Sequence, residues 1–246
     1  MGGGGDGNGS RIPGWLEFPL LIVGAFFVAF LVKTFLVQAF YIPSGSMENT
    51  LQVGDRVLVN KVVYHLRPVE RGDIIVFDGT GSFVSGEVVV PETNLIQAIA
   101  RGLGEIVGLA PPRDTDFIKR VIGVGGDHVI CCDADGRITV NGVPLDEDAY
   151  LYGNNPPSKQ PFDVIVPDGK LWVMGDHRSA SADSRSHMGE PGGGFVPVNK
   201  VIGRAFAVVW PIGNAQILEI PATFEQPGLS ASGLPPVKEI EAWAAP

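Results

Sequence analysis

The sequence contains few cysteines, few histidines and fewer basic than acidic residues. Of its 246 residues, two are Cys and four are His, and 18 Lys and Arg stand against 27 Asp and Glu, a formal net charge of −9. Nucleic-acid binding needs a basic surface, so this balance argues against nucleic acid as a partner. No spacing of Cys and His is typical of a zinc site, and we expect no structural metal.

The two cysteines are adjacent, at Cys131 and Cys132. A neighbouring pair cannot form a disulfide framework. Two interpretations stay open: the residues are two buried thiols, or they form a vicinal disulfide with the strain that such a bond stores.

Apolar residues make up 45% of the chain and charged residues 18%, which supplies a core and excludes disorder for most of the sequence. The 33 Gly and 20 Pro indicate short strands joined by turns. Asp135-Gly136 and Asn141-Gly142 are hairpin signals. The sequence therefore predicts a mostly β fold of antiparallel sheet. The predicted strands are 56–59, 73–77, 87–90, 117–121, 129–131, 138–140, 162–166, 171–174 and 204–210.

One long apolar run lies near the beginning of the chain, at residues 18–32, and its character continues to residue 40 with three polar interruptions. At about 1.5 Å per residue, such a segment can cross about 30 Å of hydrocarbon. We predict a transmembrane anchor helix over 15–39, preceded by a disordered tail at 1–14. A cleaved signal peptide and a buried core helix are the alternatives.

Three further regions have their own character. Residues 78–116 are a long insertion in which 95–109 have helical apolar spacing, typical of a helix packed on its own domain or lying in a membrane surface. Residues 128–170 are rich in hairpin signals. We expect 216–246 to form a loosely structured tail, because Pro, Ser and Glu occur there without a period.

Two serines, Ser44 and Ser46, are among the first polar residues after the predicted anchor. Serine and glycine are also ordinary loop residues, so a flexible juxtamembrane loop is the simpler interpretation of this segment alone. Lys119 favours a catalytic interpretation over a simple loop, because it lies inside the apolar run 117–122. A buried amine is partly neutral, and a neutral amine can act as the base that a serine nucleophile needs.

A third polar cluster, 175–185, follows the apolar run 171–174. Its Ser181 and Asp183 could orient a base. Arg178 and Arg185 could pair with Asp176 or Asp183 in a buried network. The alternative is a polar turn with surface ion pairs.

Four separate blocks of the sequence read PSGSMENTLQVGDRVLVNK at 43–61, RGDIIVF at 71–77, FIKRVIGVGGD at 117–127 and GDHRSASADSR at 175–185. Together, and in this order, they resemble the bacterial type I signal peptidases. The first block resembles the family's nucleophile segment, the third its general-base segment, and the match extends from the apolar run to about Pro211.

The resemblance implies a role for each matched residue. Ser46 would be the nucleophile and Lys119 the general base, with the Ser46 N–H and the Ser44 hydroxyl forming the oxyanion hole. Ser181 would hydrogen-bond the Lys119 amine. The residues implied to support the site are Asp183, Arg185, Asp176 and Arg120. Those implied to line pockets for small substrate side chains are Phe40, Ile42, Leu51 and Ile118.

The same resemblance implies a catalytic domain over 40–215 on the outer side of the cell membrane, with residues 1–14 as a cytoplasmic tail. Its partners would be secretory preproteins and membrane lipid, its cleavage site would follow a small residue in an Ala-x-Ala sequence, and it would need no cofactor. Lys rather than His at the base position indicates the bacterial branch.

The sequence departs from the common family pattern at four positions. Gly125 replaces a common Pro, His177 replaces a common Asn, and Glu48 and Asn49 stand where residues are often apolar or Pro. None of these replaces a catalytic group. Two rival functions remain: a membrane-tethered binding or scaffold protein, and a Ser/Lys protease of another purpose, such as a self-cleaving repressor.

Overall fold

The protein was analysed as a computed structural model, which describes residues 14–31, 36–84 and 115–229. Within these ranges there are two α-helices and twelve strands, joined by turns and short 3₁₀ segments. The helices are α1 (Gly14–Leu31) and α2 (Val63–Leu66). The strands are β1 (Val37–Tyr41), β2 (Arg56–Asn60), β3 (Ile74–Asp78), β4 (Asp116–Val124), β5 (His128–Cys131), β6 (Ile138–Val140), β7 (Val143–Pro144), β8 (Phe162–Ile165), β9 (Lys170–Met174), β10 (Val196–Pro197), β11 (Val201–Trp210) and β12 (Gln216–Ile217).

The strands form two sheets. The larger has the order β1-β2-β11-β3-β4-β9-β10, with β12 added beside β11, and the smaller has the order β7-β6-β5-β8. Every pair of neighbouring strands is antiparallel. The predicted fold class, mostly antiparallel β, is confirmed.

Turn chemistry explains how the smaller sheet is built. Asn141 and Gly142 both have positive φ, 54° and 80°, which is the conformation that joins β6 to β7 in a tight hairpin. Gly136, between β5 and β6, also has a positive φ of 79°. Short runs with β-branched residues between such turns can bury one face of each strand, as the fully buried Val129 and Ile138 show.

Within the described ranges, buried apolar residues form three clusters. One joins the smaller sheet to the larger through Trp172 and Met174 of β9 and Ile122 of β4. A second lies under β1 and β2 and contains Met47 and Leu51 from the loop between these strands. That loop is therefore anchored from below by two side chains with no exposed surface.

The predicted anchor differs from the structure at its end. Residues 14–31 are helical, but residues 37–39 belong to β1 and pair with β2, where Val37 lies opposite Asn60 and Ala39 opposite Leu58. The apolar character of this segment does not by itself distinguish a helix from a buried strand. Pairing with β2 makes residues 37–39 a strand. In the part of the chain that the structure describes, no helix has the length and apolar character to cross a membrane.

The first part of the predicted loose tail is ordered in the structure. Residues 216–217 form β12, residues 222–225 form a 3₁₀ turn, and Phe224 and Leu229 are buried in the cluster beside the smaller sheet. The burial of these two apolar side chains fixes the chain there, although the sequence has no hydrophobic period in this region. Several predictions fall on residues that the structure does not describe. They are residues 1–13 of the tail predicted at 1–14, most of the insertion with its helix at 95–109, the strand at 87–90 and residues 230–246.

Of the two states considered for Cys131 and Cys132, the structure has the vicinal disulfide. Cys131 is the buried member, at the end of β5, and Cys132 is exposed.

Candidate active site

Ser46 lies in a tight turn after β1, and we call residues 44–50 the Ser46 turn. Gly45–Met47 form one 3₁₀ turn, closed by a hydrogen bond from Glu48 N to Gly45 O of 3.1 Å. Asn49 takes a positive φ of 86°, a conformation that asparagine tolerates. The turn holds the Ser46 side chain against the sheet, and only 6% of this residue is exposed.

Lys119 lies in the middle of β4, between β3 and β9. Its Nζ donates a 2.7 Å hydrogen bond to Ser46 Oγ and a 2.9 Å hydrogen bond to Ile118 O. Only 4% of the lysine is exposed. The structure therefore brings together the two residues that the sequence singled out for chemistry.

Burial lowers the pKa of Lys119 from its ordinary value of 10.5 to about 8. The negative charges of Asp183 and Asp176 oppose this shift, since they favour the ammonium form, but desolvation is the larger effect. The amine is therefore partly neutral at mildly alkaline pH.

The third wall of the site is the segment that follows β9. His177 N donates to Ser46 O at 3.1 Å, which ties this segment to the Ser46 turn. Asp176, fully buried, accepts two hydrogen bonds from Arg120, at 2.8 Å from Nε and 2.7 Å from Nη2. Thr50 Oγ1 donates to the same carboxylate at 2.5 Å. Arg120 and Asp176, two of the residues expected to support the site, thus join β4, the Ser46 turn and this segment.

Asp183 and Arg185 form a second buried pair. Arg185 Nε and Nη2 each donate to Asp183 at 2.8 Å, and Gly175 N donates to the same carboxylate at 3.0 Å. Burial acts to raise the pKa of Asp183, but the hydrogen bonds and charge of Arg185 outweigh it and the pKa falls below its usual value. The carboxylate stays charged and holds the two ends of the segment together.

The predicted hydrogen bond between Ser181 and Lys119 is not formed. Ser181 Oγ is buried, makes no hydrogen bond at ordinary length within the described residues, and faces Asp183 closely enough to lower that carboxyl's pKa. It lies beside Gly175, where a Cβ would overlap both Ser181 Oγ and Ser46 O. The Lys119 amine instead uses Ser46 and Ile118 O as its acceptors.

Arg178 has a different partner from the two aspartates considered for it. It pairs with Glu147 through Nη2 at 2.5 Å and Nη1 at 3.1 Å, and its Nε donates to Gly175 O at 3.0 Å. Tyr150 donates to Glu147 at 2.6 Å and lies with its ring 4.4 Å from the Arg120 guanidinium. The sequence does not predict a role for Glu147 and Tyr150, because an acidic loop carries no local signal of burial.

The four residues implied to line substrate pockets lie in one apolar cluster with Met47. Their burial differs: Leu51 and Ile42 are almost completely covered, Phe40 is buried and Ile118 is partly exposed. Ser44 is exposed, and its side chain makes no capping hydrogen bond to the 3₁₀ turn.

Chemically, this arrangement suits acyl transfer. A serine hydroxyl held against an amine with a pKa of about 8 can pass its proton to that amine when the amine is neutral. Buried ion pairs on both flanks keep the amine and the hydroxyl in place.

Comparison with known proteins points the same way. The family model "Signal peptidase, peptidase S26" matches residues 15–210. The chain is 38% identical over 221 residues to a probable signal peptidase I of Mycobacterium leprae, covering 79% of this chain and 76% of that protein. It is 39% identical over 214 residues to a signal peptidase I of Mycobacterium tuberculosis, covering 79% and 72%. It is 36% identical over 231 residues to a probable signal peptidase I-2 of Synechocystis, covering 90% and 89%.

The family predicted from the four sequence blocks is thus confirmed, and so is the enzyme class. The chain belongs to the signal peptidase I family, the S26 family of serine peptidases.

Proposed function

We propose that this protein is a membrane-anchored signal peptidase I that removes signal peptides from secretory preproteins, with Ser46 as nucleophile and Lys119 as general base. The observation that carries the proposal is the 2.7 Å hydrogen bond between the buried Lys119 amine and the Ser46 hydroxyl. Both residues lie in blocks that match the family.

In the acylation step, Ser46 Oγ attacks the carbonyl carbon of the scissile bond while its proton moves to the neutral Lys119 amine. The tetrahedral intermediate collapses as the resulting ammonium gives that proton to the departing amine. The Ser46 N–H and the Ser44 hydroxyl would hold the oxyanion, since donors placed in advance stabilise charge that develops there. The exposed, uncapped Ser44 side chain is available for this contact.

In the deacylation step, the Lys119 amine is neutral again and takes a proton from water. The resulting hydroxide attacks the acyl carbon, and the ammonium returns the proton to Ser46 Oγ as the ester bond breaks. The enzyme then releases the signal peptide with a new carboxyl end. No group outside this chain and water is needed to balance either step.

The substrate preference would come from the apolar cluster beside Ser46. Phe40, Ile42, Leu51 and Ile118 lie there together, and tightly packed apolar walls accept small side chains more readily than large ones. We therefore propose cleavage after an Ala-x-Ala sequence.

Membrane attachment completes the proposal. The apolar segment that starts at residue 15 and ends before β1 would hold the enzyme in the cell membrane as a single-pass anchor, with the catalytic domain on the extracytoplasmic side and lipid as a partner. Enzyme and preprotein would then meet at the same depth in one bilayer, which lowers the cost of orienting them.

The test is cleavage of a preprotein with an Ala-x-Ala site by the detergent-solubilised full chain. Wild type, Ser46→Ala, Lys119→Ala and the matched control Lys200→Ala are compared, with Tm measured for each. The Lys200 amine lies 3.4 Å from Asp78 Oδ2, and 37% of the Lys200 side chain is exposed. We expect cleavage by wild type and the control only. Full activity in Lys119→Ala would disprove the mechanism, and an inert wild type would favour the scaffold interpretation.

A further inference from the structure

Two residues that depart from the common family pattern contact each other beside the nucleophile. His177 Nδ1 lies 2.8 Å from Glu48 Oε2, and both side chains are shielded, with 16% and 27% of their surfaces exposed. Glu48 closes the Ser46 turn and His177 belongs to the segment after β9. The contact therefore joins two of the three segments that build the active site.

The same ring nitrogen lies 3.2 Å from Gly45 O. Both neighbours of Nδ1 are acceptors, a carbonyl and a carboxylate, so Nδ1 must carry the proton. This requirement is met by the neutral Nδ1–H tautomer and by the protonated ring alike. The contact thus needs one donor at the δ position and no particular charge on His177.

Other contacts hold the histidine and the glutamate in place. The His177 backbone N–H donates to Ser46 O at 3.1 Å, and its ring stacks on Tyr152 at a centroid distance of 4.1 Å. The Glu48 carboxyl lies under the turn, where a Cβ added to Gly45 would be 2.8 Å from Glu48 Cδ. The pair therefore contacts Gly45, which precedes Ser46, and the carbonyl oxygen of Ser46 itself.

We propose that Glu48 and His177 are a positioning pair that holds the Ser46 turn in the geometry in which its hydroxyl meets Lys119. The inference rests on the proposed function, since it assigns a role within that reaction. Neither side chain is a catalytic residue, because their described contacts reach the backbone of the turn and not the Ser46 hydroxyl.

The pair acts on placement, so its loss should lower kcat more than it raises KM. A misplacement of about 1 Å can cost about 100-fold in rate, and a partial shift of the turn is expected to cost about tenfold. Lys119 is not contacted by the pair, so the pH at which the rate levels off should not move.

The experiment compares four variants of the full chain in detergent: Glu48→Leu, His177→Phe, the double variant and His177→Asn. Phe keeps the ring that stacks on Tyr152 but has no donor, whereas the Asn amide restores a donor at the δ position. Glu219→Leu and His65→Phe are matched controls at exposed positions. The measurements are kcat, KM, Tm and hydrogen exchange of the peptide covering 44–51.

We expect kcat to fall about tenfold in Glu48→Leu and His177→Phe, with KM within about twofold and Tm close to wild type. The double variant should lose no more than the more impaired single variant, because the two side chains act as one unit. His177→Asn should recover most of the kcat that His177→Phe loses. Exchange at 44–51 should be faster in the two impaired variants than in the controls.

Unchanged kcat in either single variant, or losses that multiply in the double variant, would overturn the positioning pair. So would an equal loss in His177→Asn and His177→Phe. If wild type cleaves no preprotein, the proposed function fails, and hydrogen exchange alone then decides whether the pair holds the turn.

Discussion

The amine of Lys119 lies 2.7 Å from the hydroxyl of Ser46, although the two residues are 73 positions apart in the chain. The hydrogen bond depends on a turn after β1, the middle of β4 and the segment after β9. Met47 and Leu51 anchor the turn from below, and the Arg120–Asp176 pair joins β4 to the segment after β9.

The activity should depend on pH through Lys119. Its pKa is about 8, and the proposed base is the neutral form. The value of kcat/KM should therefore rise about tenfold per pH unit below pH 8 and level off above it. Rates measured from pH 6 to 10 on one Ala-x-Ala substrate check this, and a flat profile from pH 6 to 9 would contradict it.

Lys119→Met should raise the free energy of unfolding at pH 7. The lysine pKa is about 8 in the folded protein against 10.5 ordinarily, so below pH 8 burial of the charge costs about 3 kcal/mol. Between pH 8 and 10.5 the unfolded chain binds more protons than the folded one, and wild-type stability rises with pH.

Denaturant unfolding of wild type and Lys119→Met at pH 7 and pH 10 measures this. The advantage of the Met variant should be largest at pH 7 and shrink toward pH 10. An advantage independent of pH would mean that the lysine pKa is not lowered.

Gly175→Ala should disrupt the active site. A Cβ at Gly175 would overlap Ser181 Oγ and the carbonyl oxygen of Ser46. We expect a loss of stability of about 2 kcal/mol and at least a tenfold loss in kcat. Gly213→Ala is the control, because nothing lies within 4 Å of its Cβ position. Equal activity of the two variants would show that the active site accommodates the added methyl group without losing its geometry.

Asp176→Asn should destabilise the protein far more than Asp163→Asn. Asp176 is fully buried against Arg120, and removal of its charge leaves that guanidinium buried and unpaired, at a cost of about 3 kcal/mol. Asp163 pairs with His128 at the surface with its side chain 70% exposed, and its loss should cost less than about 1 kcal/mol. Chemical denaturation of both variants at pH 7 is the measurement. Similar losses would show that the buried pair contributes little.

Much of the fold could be predicted from local pattern. The strand predicted at 138–140 is β6, and those at 56–59 and 171–174 differ from β2 and β9 by one residue at one end. Along these strands, buried residues either alternate with more exposed ones or follow one another without a break. Turns that contain Gly or Asn lie at the strand ends. The end of the predicted anchor was wrong, because residues 37–39 form a strand that pairs with β2. A mostly apolar sequence does not by itself distinguish a helix from a strand.

The site was predicted in part, from the sequence blocks. Ser46 and Lys119 were singled out, and the pairs Arg120–Asp176 and Arg185–Asp183 stand where support was expected. The predicted partner of Arg178 was wrong, since Arg178 pairs with Glu147, which lies in a loop 31 positions away. The orienting role of Ser181 stays a prediction, without the hydrogen bond to Lys119 that was expected.

The sequence by itself determined the antiparallel architecture and the family, because turn residues, apolar runs and the four blocks are local and appear in order along the chain. The tertiary structure alone decided the chemistry of Lys119, because its pKa depends on desolvation by distant segments and on the charges of Asp176 and Asp183. It alone decided that Glu48 meets His177, 129 positions later. Burial and contact between remote segments arise from packing in three dimensions, which no local pattern of residues records.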